Sequence, residues 1–197
     1  DKGLLSCAVF SAEQKIWADK VSMRHFDNIV VTAFRKPWVG SVPGPLAQNA
    51  WFEALTKQAL TAIGEDRLTI AIGNFSVEWV QGRPLPKTQP YAQAILDIAQ
   101  ANTTARFSAE TGNSQASFRD SEGMNHRVWL LDAASAHNQI KMLRNLGVRS
   151  VAVWSLGLED PGLWQVLTKV HQSPAALGAR LTTLRFPNYV SYQGAGP

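Results

Sequence analysis

The segment from Val148 to Trp164 places a tryptophan where it could bind a flat ligand. Its sequence, VRSVAVWSLGLEDPGLW, predicts a buried strand that ends on Trp154, then a turn, then the start of a helix. Asp160 is a typical helix N-cap, and Pro161 suits the first helical position. Ligands of parallel α/β folds bind at the carboxyl ends of the strands. Trp154 is therefore either a stacking platform or a plug at the end of the core.

Further polar and aromatic side chains follow another candidate strand. Asn74, Glu78 and Trp79 come at or just after the end of the apolar run Arg67–Asn74. There they could line, together with Trp154, the carboxyl edge of the sheet, which we call the mouth. Each also has a purely structural interpretation: a turn residue for Asn74, a solvated charge for Glu78 and a core aromatic for Trp79. Asp132 precedes a predicted helix, and we interpret it as the N-cap of that helix rather than as a catalytic carboxylate.

The histidines and the cysteine indicate neither a metal site nor a cofactor. His126 and His137 are too differently placed to share a metal ion, and each has the pattern of a surface or hydrogen-bonded core histidine. Cys7 is the only cysteine, which excludes an internal disulfide and a zinc cluster. Because Cys7 lies within an apolar run, we expect its side chain to be buried.

Four short apolar runs predict strands that are buried on both faces, and helical patterns separate them. One of these helical patterns stops before Gly147, as helices often do. This alternation predicts parallel strands with right-handed crossovers. The predicted strands are Gly3–Phe10, Asn28–Phe34, Arg67–Asn74 and Arg149–Leu156, and the predicted helices are Ala12–Met23, Asn49–Ile63, Pro90–Ala101 and Ala133–Leu146.

One segment breaks the alternation. Residues Ala105–Leu131 alternate like strands and carry a turn at Ser121–Gly123, which predicts a small antiparallel hairpin at the carboxyl edge of the sheet. In the tail, Thr182–Tyr192 has the pattern of one more strand. We therefore expect one domain over residues 3–174, with the insertion at 105–131, and a tail or linker over residues 175–197.

The composition excludes several classes of protein. The chain has 197 residues, of which 45% are apolar and 17% charged, so it can bury a core and is not disordered. Its net charge is only +4, and its basic residues do not alternate with aromatic residues as a nucleic-acid groove requires. No stretch approaches the roughly 20 apolar residues of a membrane span. We predict neither a nucleic-acid partner nor a membrane span.

Four motifs occur in order along the chain: DNIVVTAFRKPW from Asp27, RLTIAIGNFSVEW from Arg67, HRVWLLDAASAHNQIK from His126 and VAVWSLGLEDPGLW from Val151. In this order they resemble the carboxyl-terminal half of a glycoside hydrolase family 18 barrel, the chitinase-like family. They would correspond to the sixth strand, the seventh strand, the stretch before the last helix and the eighth strand, and Gly3–Phe10 would be the fifth strand. The resemblance is closest to the bacterial branch in which such a domain is joined to a polysaccharide deacetylase or glycosyltransferase.

The resemblance implies an α/β fold, namely the carboxyl-terminal half of a TIM barrel, a parallel (β/α) half-barrel with a small antiparallel hairpin insertion. It also implies action on, or binding of, a polysaccharide that contains N-acetylhexosamine, and an extracytoplasmic location. Trp154 matches the tryptophan on which the reacting sugar stacks in that family. Because the chain begins without a methionine and directly before a strand, we expect it to be part of a longer protein.

The catalytic signature of the resembled family, D-G-x-D-x-D-x-E, occurs nowhere in the sequence. Its glutamate is the general acid, and the acetamido group of the substrate itself attacks the anomeric carbon. The tyrosine that would hold that acetamido oxygen corresponds to Phe34, and the aspartate after it corresponds to Arg35, which reverses the charge. We therefore predict no catalytic residue in this chain. The parent domain is expected to be a binding relic, or to act on an anionic polysaccharide that pairs with Arg35.

Three interpretations stay open. In the first, the chain is a fragment of a family 18-like carbohydrate domain whose predicted binding residues are Trp154, Phe34, Arg35, Asn74, Glu78 and Trp79. In the second, it is a noncatalytic binding or assembly module beside a polysaccharide-processing domain. In the third, it is a free-standing doubly wound α/β domain, which ranks last because no glycine-rich phosphate loop follows the first strand.

Four parallel strands would leave two open edges, at the first and last strands of the sheet. The inner face of the sheet would also be exposed to solvent. Its residues would be Val31, Ile70 or Ala71, and Val151 or Val153. We therefore expect a partner, either the missing amino-terminal half-barrel or a second copy of the chain, unless the tail caps one edge.

Overall fold

The computed structural model describes residues 3–168 and 190–191, which form two sheets and five α-helices. The strands are β1 Cys7–Ser11, β2 Asn28–Thr32, β3 Leu68–Gly73, β4 Ser76–Val80, β5 Lys87–Gln89, β6 Ala105–Ser108, β7 Asn113–Arg119, β8 Asn125–Leu130, β9 Ser150–Trp154 and β10 Val190–Ser191. The helices are α1 Lys20–Met23, α2 Asn49–Ile63, α3 Tyr91–Gln100, α4 Ala133–Asn145 and α5 Gly162–Thr168, and a 3₁₀ turn covers Lys15–Ala18.

The first sheet consists of four parallel strands in the order β1-β2-β3-β9. Phe10 lies opposite Val31, Val31 opposite Ile70, and Ile70 opposite Val151. The prediction of four parallel strands that follow one another in chain order is therefore confirmed. Each strand is a few residues shorter than its apolar run, because the ends of the runs lie in the connecting loops.

The two faces of the parallel sheet differ in chemistry, since side chains alternate along each strand. The face with Ile29, Val31, Leu68 and Ile70 packs with α2 and α4 into the main apolar core. The opposite face carries small or polar residues, among them Cys7, Val9, Asn28, Val30, Thr69, Ala71, Ser150 and Ala152.

The open face was therefore predicted wrongly for Val31 and Ile70, which are fully buried under the helices. Alternation shows which residues share a face, but it does not show which face the helices cover. Cys7 was also placed wrongly, since it is exposed on the edge strand β1 rather than buried, whereas Thr69 and Ala71 on the same face are buried. The Cys7 Sγ lies 3.9 Å from Asn28 Oδ1.

The second sheet has the order β10-β6-β7-β8-β4-β5, and the pairs from β6 through β5 are antiparallel. The predicted turn at Ser121–Gly123 joins β7 to β8. The sheet is larger than the predicted hairpin at 105–131, because β4, which begins at Ser76, and β5 also belong to it. At Gly73, the last residue of β3, an added Cβ atom would lie 2.5 Å from Leu131 Cδ1 and 2.9 Å from Phe75 Cε1, so a larger residue would have to displace these buried side chains.

Helix α3 lies between β3 and β9 in the chain, as predicted, but it packs on the antiparallel sheet rather than on the parallel one. Its residues Tyr91, Ala94, Ile95 and Ile98 form a second apolar cluster with side chains of the antiparallel sheet. The predicted helix over Ala12–Met23 is also interrupted, since a 3₁₀ turn and the single turn α1 replace it.

The tail prediction over Thr182–Tyr192 falls mostly outside the described residues. Val190 and Ser191 are described, and they pair in parallel with Ala105 and Arg106 at the edge of the second sheet. These two residues therefore do not cap β1 or β9. No helix in the described ranges is long and apolar enough to cross a membrane.

Candidate functional site

The candidate site lies at the carboxyl edge of the parallel sheet and centres on Trp154. This residue ends β9 opposite Gly73, and 43% of its surface is exposed. The Asn74 N–H donates a hydrogen bond of 2.9 Å to the Trp154 carbonyl, so the ends of β3 and β9 are joined directly. The Trp154–Ser155 peptide bond is cis. Of the two interpretations that the sequence left open, the exposed ring favours a platform over a core plug.

The loop that follows β2 carries two cationic side chains, each of which lies over an aromatic ring. The Lys36 Nζ is 5.4 Å from the centroid of the Trp154 ring, and the Arg35 Cζ is 5.0 Å from the centroid of the Trp51 ring. Both distances are within the range of a cation–π contact. Both cations are exposed, so the mouth presents aromatic surface and positive charge together.

The antiparallel sheet holds this cationic loop in place. Trp79 Nε1 donates to the Ser41 carbonyl at 3.0 Å. Asn113 Oδ1 accepts from the backbone N–H groups of Leu46 and Ala47, at 2.9 and 3.0 Å, and its Nδ2 donates to the Ala47 carbonyl at 2.9 Å. Because Asn113 is fully buried, these bonds are shielded from water and fix the loop that carries Arg35 and Lys36.

The six predicted binding residues do not lie together on one surface. Trp154 and Arg35 are exposed at the mouth, whereas Phe34 is only 1% exposed and packs edge-on against Phe75 at 5.2 Å. Trp79 is buried as a support for the cationic loop. These positions make Phe34 and Trp79 structural supports of the site rather than parts of its surface.

Asn74 has no exposed surface, and its role is structural as well. Its Oδ1 accepts from the Asp160 N–H at 3.3 Å, while its Nδ2 has no partner among the described residues. Asn74 therefore connects the end of β3 to the turn before α5.

Glu78 pairs with a histidine of the second sheet rather than with a residue of the mouth. His126 Nδ1 lies 2.7 Å from Glu78 Oε1, its Nε2 lies 3.0 Å from Asp120 Oδ2, and its ring stacks on Phe118. Burial of the ring opposes its charged form, but the bonds to Glu78 and Asp120 outweigh this effect and raise the pKa of His126. This cluster belongs to the second sheet and ties β4 to the β7–β8 turn.

Two carboxyl groups cap helices, those of the buried Asp132 and the half-buried Asp160. Asp132 accepts from the Ser135 N–H at 2.9 Å, as predicted for the N-cap of α4, and also from the Ser114 hydroxyl. Asp160 accepts from the Gly162 N–H at 2.8 Å and from the Ala133 N–H at 2.9 Å. Each carboxyl group is thus occupied by helix-terminal donors.

Burial perturbs both acids, and repulsion by Asp132 adds to the effect on Asp160. Burial raises the pKa of Asp132. Burial, followed by the charge of Asp132, raises the pKa of Asp160 to about 6. Burial, followed by the charges of Asp160 and Asp132, raises the pKa of Tyr91. Within the part of the chain that the structure describes, no group of three or more His, Cys, Asp or Glu side chains could hold a metal ion.

Sequence reasoning missed Lys36, Trp51 and Asn113 as site residues. Lys36 follows Arg35 directly, and this pair of neighbouring cations was the available signal. Asn113 had no usable signal, because its partners Leu46 and Ala47 are distant in sequence.

Comparison with known proteins supports the fold, whereas the proteins found differ from one another in their named activities. No protein-family model matches the chain. Over 147 residues the chain is 22% identical to the cortical fragment-lytic enzyme of Bacillus subtilis, a match that covers 72% of this chain and 34% of that enzyme. The chain therefore spans about a third of the length of this curated relative.

Solved structures give the same picture. The spore cortex-lytic enzyme SleL of Bacillus cereus superposes with a TM-score of 0.76 and 18% identity, covering 85% of this chain and 41% of that one. A chitinase from Chromobacterium violaceum superposes with a TM-score of 0.75 and 19% identity, covering 87% of this chain and 57% of that one. The chain has a chitinase-like α/β fold of the TIM-barrel type, and the predicted fold class is confirmed.

Proposed function

We propose that this chain is the carboxyl-terminal half of a chitinase-like glycosidase domain and that it binds a polysaccharide containing N-acetylhexosamine at Trp154. The observation that carries the proposal is the exposed indole of Trp154 at the carboxyl end of β9. Pyranose rings stack on flat aromatic surfaces, and this end of a parallel sheet is where ligands of such folds bind. The similarity to a cortical fragment-lytic enzyme and to a chitinase supports a glycan as the ligand.

We propose further that the chain alone does not hydrolyse the glycan. Asp132 and Asp160 cap helices, and Glu78 is paired with His126, so all three carboxyl groups have structural partners. A general acid must be protonated and must lie close enough to the glycosidic oxygen to donate its proton to it. In this proposal, that acid belongs to a complementing amino-terminal half-barrel that would pair with the open edge of the parallel sheet.

A second candidate function is a noncatalytic carbohydrate-binding or assembly module of a polysaccharide-processing protein that also carries a deacetylase or glycosyltransferase domain. The observation that favours it is the pair Phe34 and Arg35, which leaves neither a hydroxyl nor a carboxylate at the acetamide-handling positions of the resembled family. In both versions we place the protein outside the cytoplasm, because its glycan would be there.

Calorimetric titration with a hexamer of N-acetylglucosamine tests the proposal. We expect measurable binding by the full chain and a loss of about 1–3 kcal/mol of binding free energy in Trp154→Ala. Trp164→Ala is the matched control, because Trp164 is a tryptophan of α5 with nearly the same exposure, 44% against 43%. Equal losses in the two variants, or no binding by the unaltered chain, would contradict the proposal.

A further inference from the structure

We infer that Lys36 makes the Trp154 platform selective for sugars that carry a carboxylate. This inference deepens the proposed function and rests on it. Its basis is the contact between the Lys36 ammonium and the Trp154 ring, 5.4 Å from nitrogen to ring centroid, at the exposed end of β9.

A sugar that stacks on this face of the indole must displace the ammonium group. The cation occupies the space over the ring that a pyranose needs, and the long, flexible side chain of lysine allows it to move to the rim. Displacement by a neutral sugar removes a cation–π contact and supplies no new partner for the charge. A sugar with a carboxylate at its rim supplies one, because the displaced ammonium can form a charge-assisted hydrogen bond with it.

The surrounding charges favour an anionic ligand as well. Within the described ranges, neither Lys36 nor Arg35 forms an ion pair with a carboxylate, whereas Arg149 pairs with Glu65 and Asp66. The acids of the neighbouring β9–α5 turn are already bonded: Glu159 accepts from the Gly157 N–H, and Asp160 accepts from two backbone N–H groups. The two cations of the mouth are therefore available to a ligand.

Two matched ligands test the inference. One is the hexamer of N-acetylglucosamine, and the other is the same hexamer after oxidation of its primary hydroxyl groups to carboxylates. The readout is the ratio of their dissociation constants, because the displacement of Lys36 from the ring is common to both ligands and cancels in the ratio. We expect the full chain to prefer the oxidised hexamer and Lys36→Gln to reduce this preference about fivefold. Raising the salt concentration should weaken the preference of the unaltered chain.

Two control variants separate the effect of the Lys36 charge from that of any change at an exposed lysine. Lys36→Arg keeps the cation and should retain the preference, and Lys57→Gln removes an exposed lysine of α2 that pairs with Glu53 and should also retain it. Binding of both hexamers without preference, or a preference that Lys36→Gln leaves unchanged, would overturn the inference and leave the proposed function intact. Binding of neither hexamer would overturn the proposed function, and the inference with it.

Discussion

The ammonium nitrogen of Lys36 lies 5.4 Å from the centroid of the Trp154 ring, so the loop after β2 and the end of β9 form one continuous surface. The buried bonds of Asn113 hold that loop, and the hydrogen bond between Asn74 and the Trp154 carbonyl holds the end of β9. The antiparallel sheet thus supports the mouth from behind, and its own cluster around His126 lies apart from the platform.

We expect no hydrolysis by the full chain. Release of a chromophore from an aryl chitobioside should not exceed that of a heat-denatured sample, because the described acids near the mouth have structural partners. A rate clearly above that background, reduced by Asp160→Asn or Glu78→Gln, would show that one of these acids is catalytic.

Removal of His126 should destabilise the second sheet. In His126→Ala, Glu78 is left buried without its partner, and an unpaired buried charge or polar group typically costs about 1–3 kcal/mol of unfolding free energy. Denaturant unfolding at pH 6 measures this effect, and His25→Ala, at an exposed histidine, is the control. A loss no larger than that of the control would show that the Glu78–His126 bond contributes nothing.

The contribution of His126 should depend on pH. Because the folded pKa of His126 is raised, its protonated form contributes stability that is fully present below about pH 6.5, the usual pKa of histidine. This stability is lost as the pH rises through the raised pKa. The difference between the unaltered chain and His126→Ala should therefore be larger at pH 6 than at pH 9, and a difference that does not change with pH would contradict the assignment.

Asp160 should also make the stability of the fold depend on pH, in a lower pH range than His126 does. Its folded pKa of about 6 lies above the usual value of about 3.9, so the protonated form stabilises the fold fully below about pH 4. That stability is lost as the pH rises towards 6 and above. Thermal unfolding of Asp160→Asn should lack this decline between pH 4 and 7, while the exposed Asp66→Asn should keep it. The same decline in both variants would assign it to another group.

We expect the full chain to associate in solution. Residues Leu4, Leu5 and Val9 are exposed along the β1 edge, and β1 pairs only with β2 among the described strands. Unpaired backbone groups beside apolar side chains favour pairing with another chain. Light scattering should show a species larger than the monomer, and Val9→Lys should shift it towards the monomer. A monomer at micromolar concentration for the unaltered chain would contradict this expectation.

The parallel sheet was predictable because its strands are apolar runs, and α2 was predicted with its observed bounds. The buried stripe of α2 has Phe52 and Ala59 at its centre, whereas Trp51 and Leu60 are half-buried at its margin. The size of the antiparallel sheet could not be read from periodicity, because only Asn74 and Phe75 separate β3 from β4. Pairing between β4 and the distant β8 decides where that sheet begins.

The candidate site was predictable only in part. Trp154 follows from its place at the end of an apolar run, and the capping roles of Asp132 and Asp160 follow from residue type. The contact of Lys36 with Trp154 depends on how two distant loops pack. Local sequence contains no signal for such a contact.

A crystal structure of the full chain with a bound N-acetylglucosamine oligomer tests the central proposal most directly. We expect one pyranose ring to lie parallel to the Trp154 indole, in van der Waals contact with it, with Lys36 moved away from its position over the ring. An ordered sugar elsewhere, for example on the exposed Trp38 or Trp164, with Lys36 still over an unoccupied Trp154, would contradict the proposal.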